Sequence, residues 1–364
     1  MTDLKTDAAA APEPAPEEKS PLLLGSPGLA GWLAAQNVSL AFTTYQAGRI
    51  FMIGRRQDGG LRAHERMIDH CQGLWTDGET LLTSAKTVLW RFRNDVPAGR
   101  RLDNGADRRF VPREGRVTGA IDMHDIGVGD IGDGKIGTIF VNTAFNCLAT
   151  TSEIASFRPL WRPPFIGALA REDRCHLNGL AMDGTRPAYV TAVSRSDVAD
   201  GWRDRRRDGG VIVDVASGEI VASGLSMPHS PRLYGGKLWL LDSGRGAFGS
   251  VDPATGAFDM VAFCPGYARG LAFIGRYAVI GLSRPRHNQT FEGLELQELL
   301  AAKDAVARCG LLIVDIDTGQ SVEWLRFEHT VQELYDVATM AGVVQPEAIG
   351  FKADGIANAV SVEA

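Results

Sequence analysis

The sequence predicts an all-β chain folded as a six-bladed β-propeller. Three observations carry that prediction. A polar residue, then a small or acidic one, then apolar ones recur just before strand-like runs. The copies are Gln72-Gly73-Leu74, His124-Asp125-Ile126, Asn178-Gly179-Leu180, Ser230-Pro231-Arg232, Arg269-Gly270-Leu271 and Tyr335-Asp336-Val337. Their intervals of 52, 54, 52, 39 and 66 residues are uneven, and the Ser230 copy is the loosest, but each can hold one four-stranded sheet. A second phrase, a strand, an Asp and then a Ser/Thr-Gly turn, occurs at Val211–Glu219, Ser250–Gly256 and Leu311–Gly319. There the Asp caps the turn and the Gly supplies positive φ. Finally, the two ends of the repeat are incomplete in complementary ways. Three N-terminal strands lack an inner partner, and Tyr335–Thr339 has lost its followers. Pairing the ends completes one sheet and closes the ring.

Taken in order, residues 1–22 read as a disordered acidic Ala/Pro tail, with no basic start or apolar segment of a signal peptide. Residues 23–350 form one propeller domain and 351–364 a C-terminal tail. Ser26-Pro27 predicts a short helix with Ser as N-cap and Pro at the first helical position. Ser39–Tyr45, Gly48–Gly54 and Leu61–Ile68 are β-branched or alternating, hence strands. Leu74–Ser84 is a hairpin about Asp77-Gly78, followed by a strand over Val88–Phe92. Gly137–Asn142, Ala188–Ala192, Lys237–Leu241 and Tyr277–Gly281 fill the second-strand slot. Three insertions break the rhythm: Thr150–Arg174, Asp197–Gly210 and Thr290–Arg308. The last has leucines at helical spacing, which predicts a helical insertion near 290–308.

The chain has 364 residues, 45% of them hydrophobic, enough for a large core. A net charge of −6 argues against a nucleic-acid or anionic-membrane surface, and no apolar run is long enough to span a bilayer. Five scattered cysteines without metal-type spacing fit reduced thiols in a cytoplasm.

Side chains alternate along a strand, so residues two apart share a face. In a common register His70 with Gln72, Asp122 with His124, His176 with Asn178, Tyr267 with Arg269, and Glu333 with Tyr335 face the channel. His229 lies one place off beside Ser230, and a one-residue bulge at Pro228 would swing it inward. Four of the seven histidines, His70, His124, His176 and His229, thus fall at the same place in four successive units. Converging imidazoles suit iron, zinc or copper, with Asp122 and Glu333 as ligands or tautomer-fixing partners. The alternative is that polar residues on inner strands bond neighbouring blades or channel water. Arg269, with Arg232, Arg195 and the Arg203–Arg207 cluster, could clamp a carboxylate, sulfate or phosphate. The alternative is ordinary ion pairing with the many acidic residues, which suits the loop arginines better than Arg269. No Walker loop, GxGxxG or GxSxG is present.

Several longer phrases carry a resemblance: Leu160–Phe165 (LWRPPF), Asp173–Leu180 (DRCHLNGL), Leu225–Arg232 (LSMPHSPR), Arg269–Phe273 (RGLAF) and Glu333–Val337 (ELYDV). They resemble an uncharacterised bacterial propeller family of conserved hypothetical proteins, over about Ala34 to Gly350. That resemblance implies a propeller and brings no assigned activity. His176-Leu177-Asn178-Gly179 is also similar to the equivalent phrase of strictosidine-synthase-like and gluconolactonase-like six-bladed propellers. The latter hold a divalent metal at the hub by Glu, Asn and Asp. The resemblance implies such parts for Glu333 and Asn178, with histidines replacing the other oxygen ligands.

The expectation is a cytoplasmic propeller whose His-rich hub binds a small anionic or polyhydroxylated molecule, as an enzyme with or without a metal. His124, His176, Asn178, His229, Arg269 and Glu333 are the candidate catalytic residues. Arg232, Tyr267, Tyr335 and Trp161 are candidate substrate contacts, with the Trp161–Phe165 loop as cover. His70, His124, His176 and His229 are the candidate metal ligands. The rival expectation is a non-catalytic binding or scaffold propeller whose loops Thr150–Arg174 and Thr290–Arg308 present a surface to a protein or saccharide.

Overall fold

A computed structural model describes residues 23–284, 293–328, 331–351 and 354–362. Six sheets stand in a ring, and each inner strand touches the next around the closed circle. The first blade runs outward as Leu74–Thr76, Thr80–Ser84, Val88–Asn94 and Arg108–Val117. The second comprises Met123–Asp130, Ile136–Asn142, Cys147–Thr150 and Arg158–Trp161, and the third Leu177–Asp183, Arg186–Ala192, Gly210–Asp214 and Ile220–Leu225. The fourth is Pro228–Tyr234, Lys237–Asp242, Ala247–Val251 and Phe258–Phe263. The fifth is Tyr267–Ile274, Tyr277–Ser283, Cys309–Asp315 and Ser321–Phe327.

The sixth blade is built from both ends of the chain, as the complementary gaps in the repeat predict. Val337–Ala341 is its inner strand and pairs antiparallel with Val38–Thr44, with Phe42 opposite Val337; Arg49–Arg55 and Leu61–Met67 follow. Each flanking blade gains one more outer strand from a chain end. Leu23–Gly25 pairs antiparallel with the fifth blade, and Pro346–Ala348 runs parallel to the outer strand of the first. Asp107 receives Val344 N at 2.9 Å and Gln345 N at 2.7 Å, and the Nε2 of His64 receives Ala348 N at 3.0 Å. Burial lowers the His64 pKa to about 4, so its ring is neutral, and Nε2 also lies 3.0 Å from Ala348 O. These contacts fasten the closing sheet to its neighbours.

The three Asp-Gly outer turns form as their local chemistry dictates. Asp214, Asp252 and Asp315 each accept backbone N–H groups within the turn, at Ser217, Ala254 and Asp317. Gly218, Gly256 and Gly319 take φ of 75°, 74° and 70°. The N-terminal helix, Leu29–Ala35, starts later than expected. Gly28 is its N-cap, and Ser26 instead hydrogen-bonds Glu323 and Trp324 O on the fifth blade, which leaves its hydroxyl unable to cap. The helix of the third insertion is Glu295–Ala302, inside the expected span, of which residues 290–292 lie outside the described residues. The predicted acidic tail, 1–22, also lies outside them. In the predicted C-terminal tail, Phe351 packs on Trp90 at 4.3 Å and a short helix covers Asp354–Asn358. All five cysteines are free and buried, and among the described residues no helix is long and apolar enough to cross a membrane.

Candidate hub site

The six repeat anchors meet at the centre. Gln72, His124, Asn178, Ser230, Arg269 and Tyr335 are each only 3–8% exposed although all are polar. The residue after each anchor alternates in size around the ring: Gly73, Asp125, Gly179, Pro231, Gly270, Asp336. The glycines let neighbouring strands close in. A Cβ at Gly179 would lie 2.3 Å from Pro231 Cδ, and one at Gly270 2.7 Å from Val337 N. The aspartates then reach across to the next blade. Asp125 accepts Leu180 N, and Asp336 accepts Leu74 N, both at 2.9 Å. Arg232 of the fourth blade completes this layer, donating to Asp125 at 2.8 Å and lying 3.6 Å from Asp336. Its Nε donates to Leu271 O. Burial and Asp125 raise Asp336 to about 7, against the pull of Arg232. On one side of this layer lies an apolar funnel of about 300 Å³, lined by inner strands of all six blades, among them Leu74, Leu180 and Val337. Arg232 therefore braces the floor of that funnel, with its guanidinium bonded to protein carboxylates.

On the other side of the layer the histidines gather, with their Nδ1 atoms committed to the protein. Thr143 Oγ1 donates to Leu177 O at 2.6 Å, so it accepts from His124 Nδ1 at 2.8 Å. His176 Nδ1 donates to Asp173 at 2.9 Å, and His229 Nδ1 to Met227 O at 2.7 Å. The proton on Nδ1 leaves each Nε2 with a lone pair. That of His229 accepts Asn178 Nδ2 at 3.3 Å, while Asn178 Oδ1 is fixed by Thr191. Those of His124 and His176 have no partner among the described residues. Their rings stand perpendicular, centroids 4.9 Å apart. Burial lowers His124 to about 4 and His229 well below its ordinary value, so both rings are neutral at pH 7.

Around this pair stand further polar groups. Asp122 accepts Gln72 Nε2 at 2.7 Å. Burial opposes its charge, but His124, the Gln72 bond, His176 and Arg269 together hold it below the usual carboxylate range. Arg269 donates to Glu333 at 2.8 Å and its guanidinium lies over the rings of Tyr267 and Tyr335, at 5.0 and 5.1 Å. The buried Tyr335 Oη has no hydrogen-bond partner among the described residues, and its ring meets His124 at 5.3 Å.

Most of the candidate residues thus converge: His124, His176, Asn178, His229, Arg269, Glu333, Tyr267 and Tyr335. His229 does face inward, through a bulge located between His229 and Arg232 rather than at Pro228. His70 does not join them. It sits at the rim, 40% exposed by its side chain, bonded to Asp69 and edge-on to Tyr45. The four histidines do not share one position: His70 and His176 lie two residues before their anchors, His229 one before, and His124 is itself an anchor. Among the described residues no group of three or more His, Cys, Asp or Glu is placed to hold a metal ion. Trp161 is on the outer strand of the second blade and packs with Leu148, Ile166 and Leu177 in the core shared with the third, so it covers no hub. Arg195 and Arg205 line a separate cleft with Asp197, Asp204 and Asp208, Arg203 pairs with Asp200, and Arg207 with Glu298.

Two residues not predicted for the hub complete it. Trp202, from the Asp197–Gly210 insertion, stacks on His176 at 4.2 Å and donates its indole N–H to Asp173 at 2.9 Å. Its ring is also buried in a cluster with Leu294, Leu296 and Leu300 of the third insertion. The insertions therefore act together as the wall that fixes the Asp173–His176 pair. A strained backbone marks the same place: Asp122 and His176, equivalent in adjacent blades, take φ of 55° and 51°.

Solved structures include chains similar to this one. A crystal structure of a nidogen/laminin complex contains a chain that superposes with a TM-score of 0.51 at 12% identity, over 84% of this chain and 99% of that one. A protein of unknown function from Bacteroides caccae is similar at 10% identity and a TM-score of 0.46, over 84% and 99% of the two chains. No curated protein matches. A family model described as a domain of unknown function, DUF4915, matches residues 27–349, and the chain belongs to that family.

Proposed function

We propose that the hub binds a small polyhydroxylated molecule and that His176 moves a proton to or from one of its hydroxyls. The observation that carries this reading is the pair of adjacent Nε2 lone pairs on His176 and His124, each with its Nδ1 bonded to the protein. Asp173 orients His176 and stabilises the imidazolium formed when a hydroxyl proton transfers to Nε2. The neutral His124 accepts a second hydroxyl. The ion pair of Arg269 with Glu333 supports a hydroxylated ligand over an anionic one, because the hub arginine already has its carboxylate. Buried, unpaired thiols are consistent with a reducing compartment such as the cytoplasm.

The test is a calorimetric screen of sugars and polyols against wild type, His176→Ala and Asp173→Asn, with thermal melts to confirm folding. At least one compound should bind wild type saturably and lose tenfold or more in both variants. If folded variants keep every affinity, His176 is not in the site and the non-catalytic scaffold becomes the better account.

A further inference from the structure

Among the described residues Asp122 is a carboxylate with no counter-charge bonded to it. Among the described residues no lysine or arginine lies within ion-pair distance of it. Its nearest basic group is His124 Nδ1 at 3.7 Å, on a ring that is neutral. One carboxylate oxygen is bonded to Gln72, and 41% of the side chain is open to solvent inside the hub. Arg269, which approaches the same space, is held by Glu333 and by two tyrosine faces. The described groups that remain unengaged at this point are almost all acceptors: an Asp122 oxygen, His124 Nε2 and His176 Nε2.

We propose that the hub's ligand carries a protonated amine and that Asp122 is the residue that receives it. The inference rests on the hub reading above and specifies the ligand's charge. A primary ammonium has N–H donors and no acceptor, which suits the Asp122 oxygen that Gln72 leaves open, while the two imidazole lone pairs take the ligand's hydroxyls. An N–H to a carboxylate is a charge-assisted bond, about twice as strong as a neutral one. The Tyr335 ring, edge-on to His124, and the neighbouring Tyr45 ring add aromatic surface beside these acceptors. A carboxylate or phosphate ligand would meet Asp122 as a like charge. The left-handed backbone at Asp122 and His176 places both side chains at equivalent points of adjacent blades, at a conformational cost of roughly 1 kcal/mol or more each that the ring must hold.

The experiment uses ligand triads that carry an ammonium, a neutral hydroxyl or a carboxylate on two related frames: 2-amino-2-deoxyglucose, glucose and glucuronate; and 2-aminoethanol, ethylene glycol and glycolate. Each is titrated calorimetrically into the full chain, wild type and Asp122→Asn. The expected result is that, on at least one frame, the amine binds about tenfold or more tighter than the neutral alcohol, and the acid weakest. Asp122→Asn should then bring the amine down to the neutral compound and leave the neutral compound unchanged. Equal affinity for amine and alcohol in wild type overturns the proposal while leaving the polyol reading in place. A preference that persists in folded Asp122→Asn overturns the role of Asp122. Failure of all six compounds to bind overturns both readings.

Discussion

Arg232 Nη1 donates to Asp125 Oδ2 at 2.8 Å, joining the fourth blade to the second across 107 residues of chain. Nη2 makes a second bond to the same carboxylate at 3.2 Å and faces Asp336 of the sixth blade at 3.6 Å. One guanidinium thus serves two buried carboxylates, and each carboxylate also accepts a backbone N–H from a third strand. Removing the cation strands both. Arg232→Met should cost about 3–5 kcal/mol in urea unfolding, the usual range for breaking one side of a buried pair. Replacing Asp125 and Asp336 by Leu as well should fail to restore stability, because Leu180 N and Leu74 N then lose their acceptors.

The alternating glycines predict a second stability difference. Gly270 and Gly235 both have positive φ, 76° and 57°. An added Cβ meets nothing at Gly235, but at Gly270 it would lie 2.7 Å from Val337 N and 2.8 Å from Asp336 Cα. Gly235→Ala should cost about 1 kcal/mol, the price of the backbone conformation alone. Gly270→Ala should cost roughly 3 kcal/mol or more, because neighbouring inner strands must part. Denaturant midpoints of the two variants separate these contributions.

What could be read from the sequence was whatever is local or periodic. The anchors and the Asp-Gly turns repeat, so they gave the blade count. The two unfinished ends gave the closure of Val337–Ala341 onto Val38–Thr44. What could not be read depends on pairing across the ring. Arg232 looks like a free substrate clamp until Asp125 and Asp336 are found beside it, and sequence distance hides both. Asp173 and Trp202 lie in irregular segments where no period assigns a direction. The signal that was available for Asp173 is its place three residues before His176, close enough for a local bond to Nδ1. Trp202 offered only its position as a lone aromatic in an arginine-rich insertion. Trp161 misled because aromatic loop residues suggest a cover, whereas here the residue ends an outer strand and packs on the core shared by the second and third blades.

Burial of neutral histidines sets a pH dependence. His64 and His124 are lowered to about 4, and His229 is lowered well below its ordinary value, in each case first by desolvation. The unfolded chain binds these protons near pH 6.5, so between about 6.5 and 4 it holds more protons than the folded chain. Stability from these three is therefore fully present above about pH 6.5 and is lost as pH falls. Asp336, raised to about 7, acts oppositely over much of the same interval, since the folded state then binds the extra proton. The net uptake on unfolding should be about two protons in this range. Urea midpoints should fall steadily from pH 6.5 to 4.5, and a His64→Gln, His229→Gln double variant should flatten that slope. A slope that is flat or reversed in wild type contradicts the neutral assignment.

The geometry of His176 separates orientation from packing. Asp173 accepts from His176 Nδ1, so Nε2 carries the lone pair, the atom that the proposed function gives to the ligand. Asp173→Asn presents an amide N–H in place of an acceptor and favours the opposite tautomer, with the proton on Nε2. Stability should change little, while ligand affinity or proton transfer falls by a hundredfold or more, as expected when a base holds its proton on the wrong nitrogen. Trp202→Phe keeps a ring against His176 but loses the indole N–H to Asp173 at 2.9 Å, so it should cost about tenfold without switching the tautomer. Trp202→Ala opens a cavity beneath Leu296 and Leu300 and should lose about 3–5 kcal/mol of stability besides. The ¹⁵N chemical shifts of labelled His176 decide between these effects. A protonated Nε2 in Asp173→Asn, and a protonated Nδ1 in wild type and Trp202→Phe, is the result that the hydrogen bonds require.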